Sequence, residues 1–178
     1  MPDPKVLTEW KLLGETGGFW VQNAILAVSA FLGILTIKSS GRQERRRATI
    51  DLVIHQTKDP ELIEARQHFH ELLGAGESNF CKHLDDNTSQ AYKSVMAILN
   101  AYEFAASGIR EAAFDEYTYK RNRYSTVLKD WAALRAFVME FRYKKKISTL
   151  FQEFEWLARR WEKRPLKADT KTGPLSFL

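Results

Sequence analysis

The chain has little of what catalytic and cross-linked proteins depend on. Its 178 residues include one cysteine, five prolines and nine glycines, so no intramolecular disulfide bond can form and helix-breaking residues are few. A glycine-rich phosphate loop, HExxH, GxSxG and a helical ExxH pair are all missing from the sequence. We therefore expect no catalytic residue and no cofactor-binding residue.

The histidines and the cysteine do not form a metal-binding pattern. His68 and His70 are two residues apart on a predicted helix, which directs their rings to different faces. Cys81 and His83 follow in a polar stretch, and the combined spacing matches no established zinc site. We expect no metal, so a metal-dependent enzyme is the least favoured of the functional alternatives.

Charge is absent from residues 19–37, which read FWVQNAILAVSAFLGILTI. A helix of this length covers roughly 28 Å, close to the hydrocarbon thickness of a bilayer. An interfacial helix would carry a charged face, and a cleaved signal peptide would have a basic start and a shorter apolar core. We predict a transmembrane helix, with a signal peptide and a soluble core helix as the alternatives.

Basic residues follow this segment directly and predict its orientation. Lys38, Arg42, Arg45, Arg46 and Arg47 lie within ten residues of its end, whereas the tail at 1–18 has two lysines and three acids. Basic residues close to a span stay on the cytoplasmic side. We expect the tail outside the cell, the remaining chain in the cytoplasm, and these five side chains at the membrane surface among the lipid headgroups.

Behind the span, apolar residues recur at helical spacing, and sustained alternation of period two is absent. The predicted fold is all-α: one N-terminal transmembrane helix followed by a cytoplasmic helical bundle. Residues 39–41 permit a break between the span and a basic juxtamembrane helix at 38–58. We assign the bundle to 59–164 and a disordered tail to 165–178. Within the bundle the expected helices lie at 59–74, 89–108, 111–124, 131–141 and 147–161.

The net charge of +5 conceals two oppositely charged halves. Residues 48–119 contain five Lys and Arg against twelve Asp and Glu, whereas residues 120–178 contain fifteen against six. Two interpretations are open: the halves neutralise each other within one bundle, or they meet between subunits of an oligomer. Clustered basic residues also suit phosphate, but no recognition motif accompanies them, so nucleic acid is not the expected partner.

Glu103 stands on or beside an apolar helix face, in the stretch LNAYEFAA. A half-buried carboxylate needs a partner. We expect Arg142 to provide it in a structural ion pair, with Arg110 as the second choice. A ligand-sensing site built on the same groups is the functional alternative.

Small and polar residues recur along the span at Asn23, Ser29, Gly33 and Thr36. Residues of this kind allow membrane helices to approach closely and to form hydrogen bonds with one another. We expect these four to form a face for helix–helix association, and the protein to be an oligomer.

Several motifs resemble a known family. They are the segment RRAT at 46–49, the pattern LNxYExxA at 99–106, and FExLAxxW at 154–161. Together they resemble an uncharacterised family of bacterial and prophage proteins with a domain of unknown function (DUF4760-like). The resemblance implies one N-terminal span in the bacterial inner membrane, a helical cytoplasmic region, and a setting in phage–host conflict.

These observations lead to one preferred function and one main alternative. The preferred function is a membrane-anchored helical interaction or assembly module, oligomeric or bound to another protein, in a defence or phage-encoded complex. The alternative is an oligomeric effector that perturbs the membrane and senses a signal through its cytoplasmic domain.

Overall fold

The computed structural model describes residues 11–12, 15–76 and 79–167, with side chains from residue 18 onward except those of 37 and 38. Five helices account for most of these residues: α1 Gly17–Lys58, α2 Pro60–Gly74, α3 Gln90–Arg110, α4 Glu116–Lys145 and α5 Gln152–Lys163. A short 3₁₀ helix, Phe80–Asp85, lies between α2 and α3, and Lys11–Leu12 pairs antiparallel with Glu15–Thr16. The all-α prediction is confirmed.

The chain forms two compact units, Met1–Glu44 and Arg45–Leu178. The predicted disordered tail lies outside the described residues from position 168 onward, and so do 1–10 and 13–14 of the N-terminal tail. Residues 39–41 are helical within α1, so the break that the sequence permits is not formed.

Local sequence signals explain where α2, α3 and α4 begin. Asp59 accepts hydrogen bonds from the N–H groups of residues 61 and 62, and Pro60 occupies the first helical position, where its missing N–H is harmless. Ser89 caps α3 through the N–H of Tyr92, and Asp115 caps α4 through the N–H of Thr118. The first two starts agree with the prediction.

The core of the second unit surrounds α3, which packs most extensively against α2 and α5. Nine residues of α3 are buried, and aromatic side chains fill the surrounding space. Tyr102 stacks on Phe154 of α5 with 4.6 Å between ring centroids, and Trp131 of α4 meets Phe154 edge-on at 5.1 Å. These contacts connect α3, α4 and α5 through one buried aromatic cluster.

Three predicted helix boundaries in the bundle are wrong. Helix α3 continues past 107–108 to Arg110. Gly108 serves close packing and does not end the helix, since a Cβ there would lie 2.2 Å from the Phe114 ring. The region 111–141 is not two helices, since residues 111–115 form a turn and α4 then runs unbroken through 122–125. Helix α5 begins at Gln152 rather than near 147, where Ile147 is half-exposed.

Candidate functional sites

The first candidate site is the apolar segment of α1, residues 18–36, whose side chains are all exposed. Val21, Ile25 and Phe31 are each 61% exposed. Among the described residues, one helix, Gly18–Lys58, is long and apolar enough to cross a membrane, and none of its apolar window is buried. An exposed apolar surface of this extent is typical of a binding or membrane-contacting surface.

Two polar side chains on this segment bond to their own helix. The Asn23 amide donates to the Phe19 carbonyl at 2.9 Å, and the Thr36 hydroxyl donates to the Leu32 carbonyl at 2.9 Å. Each of these side chains thus places one donor on a backbone carbonyl without water, which lowers its cost in an apolar environment.

The predicted association face stays a prediction, and ideal helix geometry redraws its members. At 3.6 residues per turn, Ser29, Gly33 and Thr36 share a face, whereas Asn23 lies about 120° around the helix from Ser29. Gln22, which sequence reasoning missed, lies on that face, seven residues before Ser29. The seven-residue spacing between Gln22 and Ser29, about two helical turns, is the signal in the sequence that could have identified Gln22. We call Gln22, Ser29, Gly33 and Thr36 the span face.

The five predicted membrane-surface residues have different environments. Arg42, Arg46 and Arg47 are exposed and Arg45 is half-buried, while the Lys38 side chain lies outside the described residues. Burial tends to raise the pKa of Asp115, but hydrogen bonds from Thr118 and the charges of Arg46 and Arg45 lower it overall. Two of the four arginines, Arg45 and Arg46, therefore also stabilise the ionised form of the capping acid of α4.

Glu103 and Arg142 do not form the predicted ion pair. The Glu103 carboxylate accepts from the backbone N–H groups of Glu153 at 3.3 Å and Phe154 at 2.8 Å. These are free N–H groups of the first turn of α5, and Phe151, at the capping position of that helix, has no side chain that could accept them. Glu103 thus caps α5 from another helix.

Arg142 pairs instead with Glu155. Its Nη1 lies 2.6 Å from Glu155 Oε2, and its Nε donates to the Leu150 carbonyl at 2.8 Å. Arg110, the second candidate for Glu103, makes two 2.8 Å hydrogen bonds to Glu153. Sequence reasoning identified the need of Glu103 for a partner, but it considered only side chains.

The second candidate site is a buried polar cluster, Arg66, Tyr102 and Asp130. The Tyr102 hydroxyl donates to Asp130 Oδ2 at 2.6 Å, while Arg66 Nη1 donates to the same oxygen at 3.3 Å and to the Tyr102 oxygen at 3.1 Å. Asp130 is 2% exposed, and the cluster connects α2, α3 and α4.

Burial and the neighbouring groups shift the pKa values of all three side chains in this cluster. Burial raises the pKa of Asp130 above its usual value, against the hydrogen bond from Tyr102 and the charge of Arg66. Burial and the negative charge of Asp130 raise the pKa of Tyr102, so the phenol keeps its proton. Burial would lower the pKa of Arg66, but Tyr102 and Asp130 raise it overall, so Arg66 stays charged.

Sequence analysis missed this cluster, although a signal was present. Arg66 lies four residues after Leu62 and three before Phe69, both of which are buried on α2. Asp130 lies three residues after Val127 and four before Leu134, both buried on α4. A cation and an acid at core spacing on two helices indicate a buried pair.

Arg66 also lines an open groove of about 600 Å³. The walls come from α1, α2 and α4, and the lining residues are Gln56, Thr57, Ile63, Arg66, Gln67, His70, Glu71 and Arg123. We call this the Arg66–Arg123 groove. Gln56 connects it to the core, since it donates to the Ala101 carbonyl and accepts from the Tyr119 hydroxyl, each at 3.2 Å.

The part of the chain that the structure describes contains no candidate metal site. Within that part, no group of three or more His, Cys, Asp or Glu side chains could hold a metal ion. His68 instead lies 3.9 Å from Glu71 on its own helix.

A family model described as "Domain of unknown function (DUF4760)" matches residues 23–161. The chain belongs to the DUF4760 family. The match covers most of α1 and continues to Trp161 in α5, so most of the exposed apolar segment and all of the buried polar cluster lie within the DUF4760 domain. Comparison with curated proteins and with solved structures finds no match.

Proposed function

We propose that this DUF4760 protein is a membrane-anchored assembly protein. In this proposal α1 crosses the bacterial inner membrane through residues 19–37, and the second unit presents a helical bundle to protein partners in the cytoplasm. The observation that carries the proposal is that every apolar side chain of residues 18–36 is exposed. A lipid bilayer removes such a surface from water.

Charge supports the proposed orientation. Exposed arginines at positions 42, 46 and 47 follow the apolar segment, and basic residues beside a span are retained in the cytoplasm. The span face supports assembly, because small and polar residues favour association of membrane helices. The proposed setting, a complex in phage–host conflict, rests on the family resemblance alone.

Alkaline carbonate extraction of membranes tests the anchor. The matched variants are Val28→Lys/Leu32→Lys, which charge the centre of the segment, and Val28→Leu/Leu32→Val, which keep it apolar. Each central lysine costs about 2.5–3.5 kcal/mol on insertion scales. We expect the wild type and the apolar variant to stay in the membrane pellet and the lysine variant to leave it. Release of the wild type, or a mature chain that begins after residue 37, would contradict the proposal.

Cys81 tests the orientation because it is the single cysteine of the chain and is partly accessible. A membrane-impermeant maleimide should label Cys81 only after the membrane of spheroplasts is permeabilised. In an Asp3→Cys/Cys81→Ser variant it should label intact spheroplasts. The reverse pattern would place the bundle outside the cell.

A second candidate function is an oligomeric effector that perturbs the membrane in response to a ligand. The Arg66–Arg123 groove favours it, because an open groove of about 600 Å³ is large enough for a small molecule. Overexpression should then depolarise cells, as measured with a potential-sensitive dye. Replacement of residues 19–37 by leucines, which keeps the anchor, should abolish the effect; persistent depolarisation would exclude a role for the span face.

A further inference from the structure

Arg123 is a half-buried cation whose hydrogen-bond partners are neutral. Its Nη2 donates to the Thr57 hydroxyl at 2.7 Å and to the Val53 carbonyl at 3.4 Å. Its Nε is buried and has no acceptor. Of the ion pairs among the described residues, none includes Arg123. A partly desolvated guanidinium of this kind is stabilised by an anion.

Arg66 is a second guanidinium in the wall of the same groove. Its Nη1 is used by Tyr102 and Asp130, but its Nε and Nη2 are buried without an acceptor. The two arginines therefore have three donor nitrogens that the protein shields from water and leaves unpaired. Buried donors of this kind are rare in folded proteins and need an explanation.

The remaining walls expose more apolar than polar surface, and their polar groups come from a few side chains. Gln67 and His70 are exposed on α2, whereas the Thr57 hydroxyl of α1 already donates to the Val53 carbonyl and accepts from Arg123. Glu71 contributes the one carboxylate among the lining residues, but its side chain is 77% exposed and lies near His68, so solvent screens its charge. Arg66 is already paired with Asp130, so Arg123 is the lining cation that no carboxylate pairs among the described residues.

We propose that the Arg66–Arg123 groove binds a small molecule through an oxyanion, either a phosphate or a carboxylate group, held between the two guanidinium groups. Planar guanidinium groups recognise both kinds of oxyanion with paired hydrogen bonds. The unpaired donors are buried in the structure. In the proposed bound state the guanidinium groups turn towards the groove, and the oxyanion supplies their acceptors. The ligand also contacts α1, α2 and α4 at once, because residues of all three helices line the groove.

Isothermal titration of the full-length protein in detergent tests this proposal, with pyrophosphate and citrate as probes and sodium chloride at matched ionic strength as the blank. We expect saturable binding of at least one probe; a response to pyrophosphate alone assigns the groove to phosphates, and one to citrate alone assigns it to carboxylates. The matched variants are Arg123→Gln and Arg135→Gln, which remove one charge from the same helix, and Arg135 is exposed away from the groove.

Arg123→Gln should weaken binding at least tenfold, and Arg135→Gln should leave it within twofold. Gln67→Glu adds a carboxylate to the exposed rim of the groove and should also weaken binding at least tenfold, which keeps the test decisive if Arg123→Gln fails to fold. If neither pyrophosphate nor citrate binds saturably, the proposal is overturned. Equal weakening by Arg123→Gln and Arg135→Gln also overturns it, because it shows attraction to net charge alone.

Discussion

At the residue scale, the Arg66–Tyr102–Asp130 cluster connects three helices through polar contacts inside a core of aliphatic and aromatic side chains. Asp130 is buried and accepts hydrogen bonds from two donors, so removing either Tyr102 or Arg66 leaves its carboxylate short of a partner. Buried ion pairs of this type contribute specificity more than net stability. We infer that the cluster sets the relative positions of α2, α3 and α4.

We therefore predict that Asp130→Ala destabilises the protein by about 3–5 kcal/mol, because it leaves the Arg66 charge buried without its acid. The double variant Arg66→Met/Asp130→Leu should recover more than half of that loss, since no buried charge is left unpaired. Urea unfolding followed by tryptophan fluorescence measures both. A double variant as unstable as the single one would show that the polar contacts themselves, rather than charge balance, hold the cluster.

Glu103 is a second residue whose role depends on distant backbone. Replacing it by alanine should destabilise the protein by about 1–2 kcal/mol, the usual cost of losing a helix cap, because the N–H groups of Glu153 and Phe154 lose their acceptor. The exposed Glu111→Ala, measured in the same urea titration, is the control and should change stability by less than about 0.5 kcal/mol. Equal effects of the two variants would contradict the capping role.

Glu116 gives a prediction for pH. Burial tends to raise its pKa, but hydrogen bonds from Arg160 and Trp161 and the charge of Arg160 lower it below its ordinary 4.5. A lowered pKa in the folded state means that the ionised group stabilises the fold above pH 4.5 and that this contribution is lost as the pH falls through the lowered pKa.

The stability difference between wild type and Glu116→Gln should therefore be largest near pH 7 and shrink below pH 4.5. Urea titrations at several pH values measure it, and Glu111→Gln should show no comparable trend. A difference that stays constant down to pH 3 would mean that the Glu116 charge does not contribute.

At the scale of elements, local signals in the sequence were sufficient for some boundaries and not for others. Asp59-Pro60 and Ser89 carry their capping information within one turn, so those starts were predictable. The start of α5 was not predictable from local sequence. Phe151, just before the helix, is in the left-handed region with φ 55°, and Glu103 of α3 caps the helix from a distance. Tertiary packing, with Phe151 buried and stacked on Phe141, maintains that conformation.

The same limit explains the candidate sites. Hydropathy alone identified the apolar segment of α1, because a long uncharged apolar run can be recognised in the sequence without knowledge of the fold. The Arg66–Arg123 groove required the fold, since its residues come from α1, α2 and α4 and are far apart in sequence. The prediction of a Glu103–Arg142 pair was wrong because backbone N–H groups compete with arginine for the Glu103 carboxylate. Sequence patterns do not reveal that competition.

The end of α4 offers a stabilising substitution. Lys146 ends the helix in the left-handed region with φ 55°, and the next N–H returns to the Arg142 carbonyl at 3.2 Å. Glycine adopts this conformation without a steric cost, so Lys146→Gly should raise stability by about 1 kcal/mol. Lys145→Gly, one residue earlier within the helix, should lower it by about 0.5–1 kcal/mol. Thermal unfolding compares the two, and destabilisation by Lys146→Gly would contradict the assigned helix end.

At the scale of the whole molecule, charge links the acidic region 48–119 with the basic region 120–178. Arg160 binds Glu116 through two hydrogen bonds, and Lys144 lies 2.7 Å from Asp85. Arg110 with Glu153 joins the same regions with the signs reversed. These ion pairs support the interpretation that the acidic and basic regions neutralise each other within one bundle. A contact between the regions of different subunits stays a prediction.

The central claim is that the protein assembles in the membrane through its span face, and its mass in solution tests this most directly. Multi-angle light scattering of the detergent-purified full-length protein, corrected for bound detergent, should give a defined multiple of 20.6 kDa. Ser29→Leu/Gly33→Leu/Thr36→Leu should reduce that mass, while Ala27→Leu/Phe31→Leu/Ile34→Leu, on the opposite face, should preserve it. A mass of 20.6 kDa for the wild type, or equal loss in both triple variants, would contradict the account.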